Sequence, residues 1–226
     1  TITGLRKPWN FAYKMTGDFV AEEDQYFPFG EAVPRWLESF SKLGVGFAGG
    51  KIKLDLVERK GKYNNGFCHW PELVHYKKGK RQAGSASFTC NITPGQVGSG
   101  SIAYKTLFHE GGHAAHFLNI TERDVCLNHE YAPMTAAWAE TQSMFLDDIS
   151  ESIERRMRYA KNKDGELYPR SLYEEKVRAL RVVAPKLMYS IAMIVDFEKQ
   201  IYAAESLTAE FIVDLAKQIS VKYSDN

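Results

Sequence analysis

The stretch from Ser101 to Leu118 constrains this chain more than any other. It holds no proline and carries an apolar stripe, so it reads as a helix, with Ser99 or Ser101 placed to cap its start. Inside it runs His109-Glu110-Gly111-Gly112-His113. Residues four apart on a helix lie one turn apart on the same face, so both imidazoles can address one ion. Glu110 falls beside that face, where it can reach a water held by the ion rather than the ion itself. Two histidines with a neighbouring carboxylate form the arrangement that activates zinc-bound water for peptide hydrolysis.

A catalytic zinc takes three protein ligands and keeps one position open. The downstream candidates are Glu122, Asp124, His129, Glu130 and Glu140. Tyr131 to Leu146 contains a single charged residue, Glu140, and otherwise reads as a buried helix, with Ala136, Ala137 and Ala139 permitting close approach of another helix. A carboxylate is costly in such surroundings unless it is paired or binds a metal. Glu140 is therefore the leading candidate, a basic partner or a solvent-facing position being the alternative. Glu122, Asp124 and Glu130 sit in polar, loop-like sequence, and His129 stays an alternative ligand. His116, three residues after His113, is expected beside the ligands or toward the substrate, or else as a core histidine. The second ring nitrogens of His109 and His113 need acceptors. Ser143 and Asp147 share the face of Glu140 and are candidates, as are backbone carbonyls.

These residues resemble the thimet oligopeptidase and oligoendopeptidase F family of zinc metallopeptidases. The run Phe108-His109-Glu110-Gly111-Gly112-His113-Ala114-Ala115-His116 fits the family's HExGH form with its following histidine. Glu140, 27 residues past His113, matches the third ligand, with Ser143 and Asp147 three and seven places later. Leu54 to Cys68 is similar to the strand and turn ahead of the active helix, so the likeness runs from Ile52 to Asp148. It implies one zinc ion held by His109, His113 and Glu140, with Glu110 as general base and short peptides as substrates. Relatives usually carry a bulky apolar residue where Gly111 stands, which predicts looser packing beside Glu110. Relatives are also longer, with an N-terminal helical region and a C-terminal Gly- and Tyr-rich segment that stabilises the tetrahedral intermediate. The chain thus reads as a catalytic core or a short divergent member. A zinc-stabilised peptide-binding domain without catalysis is the alternative, and a structural zinc with His116 or His129 as fourth ligand is a third reading.

The remaining sequence predicts a mainly helical protein with a small β-sheet, an α+β, zincin-like core. Residues 1–226 are read as one domain, with a mixed portion over 1–100 and a helical portion over 101–226. Arg35 to Lys42 reads as a short helix opened by Pro34, and Lys51 to Val57 alternates polar and apolar residues as a half-buried strand does. Ala83 to Ile92 is small and β-prone, a second strand. Within it Gly84, Ser85, Ala86 and Ser87 are candidates to align a substrate peptide as an added strand, or else an internal strand of the sheet. Helices are expected from Pro133 to about Ala160, from about Leu172 with a division at Pro185, and over Ala209 to Lys222. Lys186 to Ala204 is apolar on nearly every face, as a central buried helix would be.

Lys plus Arg is 29 against 28 for Asp plus Glu, a net charge of +1, which provides no electrostatic reason to expect nucleic acid or an anionic membrane. No apolar stretch is long enough to span a bilayer. Three cysteines, Cys68, Cys90 and Cys126, form no CxxC pair and read as reduced thiols of a cytosolic protein.

Overall fold

The structure is a computed structural model that describes residues 19–63, 66–69, 72–123, 136–181 and 184–223. It is mainly helical with a small mixed sheet, and no helix among the described residues is long and apolar enough to cross a membrane. Among the described residues the chain forms two compact units, one over 19–173 and one from Glu174 onward.

The larger unit opens with α1 (Phe19–Asp24), a 3₁₀ turn (Phe29–Glu31) and α2 (Ala32–Lys42). Next come β1 (Lys51–Val57), β2 (Phe67–Cys68), β3 (His75–Lys77), β4 (Lys80–Gln82) and β5 (Ser85–Ile92). Two long helices follow, α3 (Ser99–Leu118) and α4 (Ala136–Glu151), then the shorter α5 (Ile153–Tyr159). The sheet order is β1-β5-β2, with β1 parallel to β5 from Lys51↔Ser85 to Leu54↔Phe88, and β2 antiparallel at Phe67↔Thr89 and Cys68↔Phe88. Lys77 to Arg81, a basic run, turns the separate β3-β4 hairpin, with Lys78 and Gly79 both at positive φ.

Helix α3 begins at Ser99, but neither serine caps it. Gly98 is the cap residue, in the left-handed region at φ 83°, and its N–H donates to Asp24 Oδ1 at 2.7 Å. A Cβ on Gly100 would fall inside the Phe27 carbonyl, so the first turn of α3 lies directly on the backbone after α1. Downstream, the Pro133 helix resolves into α4 and α5. Ser152 breaks it, with extended backbone and a side chain that accepts from Arg155 N as the cap of α5.

The core between sheet and helices is aromatic. Trp36, Phe40, Phe88 and Phe108 are each 1 % exposed or less and meet edge to face. A buried ion cluster closes the other end. Arg156, 2 % exposed, donates to Glu23 at 2.8 Å and Glu151 at 2.7 Å, and Tyr168 also donates to Glu23. This ties α1, α4 and α5 to the segment before α6 (Arg170–Arg181).

In the smaller unit, α7 (Ala184–Ala203) packs on α8 (Ala209–Tyr223), and Pro185 stands in the first turn of α7, where its missing N–H costs nothing. The sequence pattern predicts a buried helix here; among the described residues of α7, Met188, Ile191, Ile194 and Val195 are each more than half exposed.

Candidate metal centre

Helix α3 places His109 and His113 one turn apart, and α4 brings in the third group. One ligand atom each from His109, His113 and Glu140 lies within 4.8 Å of the others. Glu140 Oε2 stands 3.3 Å from His109 Nε2 and 3.4 Å from His113 Nε2. Donors around a tetrahedral zinc, with bonds near 2.0–2.1 Å, are separated by about 3.3–3.4 Å. The three residues present therefore fit one zinc ion in donor type and in spacing.

Gly112 lets the two helices come this close. A Cβ there would lie 3.0 Å from the Cα of Ser143 and 2.9 Å from Leu146 Cδ1. Ser143 is fully buried at that crossing, and its hydroxyl donates to Glu140 Oε2 at 2.8 Å. The expected acceptor for a histidine is thus instead a donor that aims the carboxylate. Asp147, one turn further, takes the acceptor role: its Oδ2 is 2.7 Å from His109 Nδ1. That bond places the proton on Nδ1 and leaves Nε2 free to ligate. His113 Nδ1 is buried with no hydrogen-bond partner among the described residues.

Glu140 is not the desolvated carboxylate that the apolar sequence around it implies. Its side chain is 45 % exposed, and Met144 and Phe145 on the same helix are 59 % exposed. Among the described side chains of α4, those of Ser143, Leu146 and Ser150 are buried. The carboxylate is held by Ser143 and two imidazoles rather than by burial.

Glu110 is 8 % exposed, and burial pushes its carboxyl above the ordinary range. The backbone N–H of Cys68 on β2 donates to it, opposing that shift, as does the charge of His109. Nothing in the residue types of Phe67-Cys68 announces this contact, because a backbone amide carries it. Without metal, the hydrogen bond to Asp147 raises the His109 pKa, whereas burial lowers that of His113. A cleft of about 350 Å³ opens here, lined by Gly66, Lys105, Thr106, His109, Glu110 and Asp147 among others.

Two further expectations are corrected. Gly111 does not loosen the packing beside Glu110, since the Trp36 indole fills the space and would sit 2.6 Å from a Cβ on Gly111. Gly84, Ser85, Ala86 and Ser87 offer no open strand edge. Ser85, Ala86 and Ser87 pair with β1 on one side, and on the other Ser85 and Ser87 bond Glu72 and the His69 N–H. A Cβ on Gly84 would lie 2.2 Å from the Glu72 carbonyl oxygen. His116 borders a separate cavity of about 480 Å³ with Gly44, Asn119 and Gln142, and it bears on His113 through charge. Glu122 is exposed and away from the cluster, while Asp124, His129 and Glu130 lie outside the described residues.

A helix presenting two histidines and an acid, crossed by a second helix that brings in a glutamate, defines the metallopeptidase class. A family model described as Peptidase family M3 matches residues 24–226, and the chain belongs to that family. The family implies zinc-dependent metallopeptidase activity. Among curated proteins there is no match to the chain.

Proposed function

We propose that this chain is a zinc metalloendopeptidase acting on short peptides, with His109, His113 and Glu140 as ligands and Glu110 as general base. One observation carries the reading: three donors converge at zinc spacing with a buried carboxylate from the same helix alongside. Bound zinc supplies a Lewis acid that makes water nucleophilic near neutral pH and polarises a carbonyl. Glu110, held by the Cys68 amide, takes the proton of the attacking water and passes it to the leaving amine. Asp147 keeps His109 in its ligating tautomer, and Ser143 keeps Glu140 aimed at the centre.

Glu110→Gln tests the reading. Cleavage of a fluorogenic peptide should fall by about 10²–10⁴-fold, while zinc content by metal analysis stays at that of the native chain. Undiminished cleavage by the variant would remove Glu110 from the chemistry. Loss of zinc along with activity would make it a structural residue.

A further inference from the structure

Arg155 and Arg156 are neighbours on α5, both buried, and differently served. Arg156 has two carboxylates. Arg155, 6 % exposed, forms no ion pair among the described residues. Its guanidinium lies 4.2 Å over the Phe108 ring, Nη2 donates to Ser39 Oγ at 3.1 Å, and Nε is buried without a hydrogen-bond partner. Burial draws its pKa down to about 10, so it remains a cation at neutral pH. The Tyr104 and Tyr159 rings lie further off, at 5.7 and 6.0 Å. Aromatic faces and one hydroxyl provide no counter-charge for a cation taken out of water.

This guanidinium borders a cavity of about 450 Å³ between α2 and the α4-α5 junction, a size typical of small-molecule sites. Lys42 and Arg158 are exposed at the edge of the cavity. Lys42 is tied to Glu38, whereas Arg158 makes no ion pair among the described residues. Leu43 and Ile149 add apolar wall, and Glu154 is the one acid among the lining residues. The cavity shares no lining residue with the cleft beside Glu110.

We propose that this cavity binds a small ligand through an oxyanion, a phosphate or a carboxylate, gripped by Arg155 from the floor and by Arg158 from the rim. The planar fork of a guanidinium matches two oxygens of either group, and the anion supplies the counter-charge that the fold withholds from Arg155. Phe108, on which Arg155 rests, precedes His109, so the ligand sits behind the metal-bearing helix rather than in its cleft.

The test is calorimetric titration of the full chain, loaded with zinc, at low ionic strength, with inorganic phosphate and separately with acetate. Saturable binding of either anion is expected, and the anion that binds identifies the group. Arg158→Gln, on an exposed side chain, should weaken that binding about tenfold, in keeping with a lost charge-assisted bond. Arg155→Met should abolish it. If Arg155→Met fails to fold, Arg158→Gln decides alone. Absence of saturable binding by both anions, or an Arg158→Gln affinity equal to that of the native chain, overturns the proposal.

Discussion

Asp147 Oδ2 lies 2.7 Å from His109 Nδ1, across the crossing of two helices that are separate in sequence. The carboxylate selects the imidazole tautomer and fixes the ring plane. Asp147→Asn keeps the shape and removes the charge, so zinc affinity should fall by about 10–100-fold. Competition with a chromophoric chelator measures it, and an affinity equal to the native value would detach Asp147 from the centre.

Gly112 sets the helix separation that Glu140 depends on. In Gly112→Ala the added carbon meets the Ser143 Cα at 3.0 Å, and backbone must move. Stability should fall by about 1–3 kcal/mol in urea unfolding, and zinc affinity should fall with it. Ser143→Ala leaves the close approach in place and removes only the bond to Glu140, so its loss of affinity should exceed its loss of stability. Wild-type affinity in both variants would mean that the crossing does not aim the ligand.

Glu23 is 3 % exposed and accepts from Arg156 and Tyr168. Glu23→Gln leaves Arg156 paired with Glu151 alone and removes the charged acceptor of Tyr168. It should therefore lower the unfolding free energy by about 1–3 kcal/mol, read as a shifted denaturant midpoint with an unchanged slope. A shift no larger than that of an exposed Glu→Gln control would show the cluster to be dispensable.

Asp55 supplies a pH signature. A hydrogen bond from Arg59, with help from Lys62, holds its carboxyl at about 2, below the ordinary 3.8. A depressed folded-state pKa contributes stability that is complete above 3.8 and disappears as pH falls toward about 2. The melting temperature of Asp55→Asn should therefore lie below that of the native chain at pH 5. The gap should close as the solution is acidified. A gap that is constant across this range would mean that the Asp55 ionisation is not linked to folding.

Much of the centre was readable from residue order because helical spacing is local. A spacing of four from His109 to His113 places both on one face whatever surrounds them, and Glu140 stands out as the lone charge in an apolar run. The structure groups Glu140 with the two histidines, but its carboxylate is half-exposed rather than desolvated as the apolar run implies. The roles of Ser143 and Asp147 could not be assigned from spacing. Both share a face with Glu140, and only the height of α4 against α3 decides which reaches a histidine. The reading of Ser85 to Ser87 failed for a related reason. Small side chains permit a close neighbour strand, but they do not say whether that strand is a substrate or β1.

Local order by itself determined that a helix here carries two imidazoles and an acid toward a common point, because backbone hydrogen bonds four residues apart set that geometry. The tertiary structure alone decided the rest. It set which side chain fills the room left by Gly111, which carboxylate orients His109, which strand lies inside the sheet, and which of two adjacent arginines lacks a counter-charge. Each of these depends on contacts between residues distant in the chain, where the packing of whole elements, rather than the identity of any one residue, fixes what meets what.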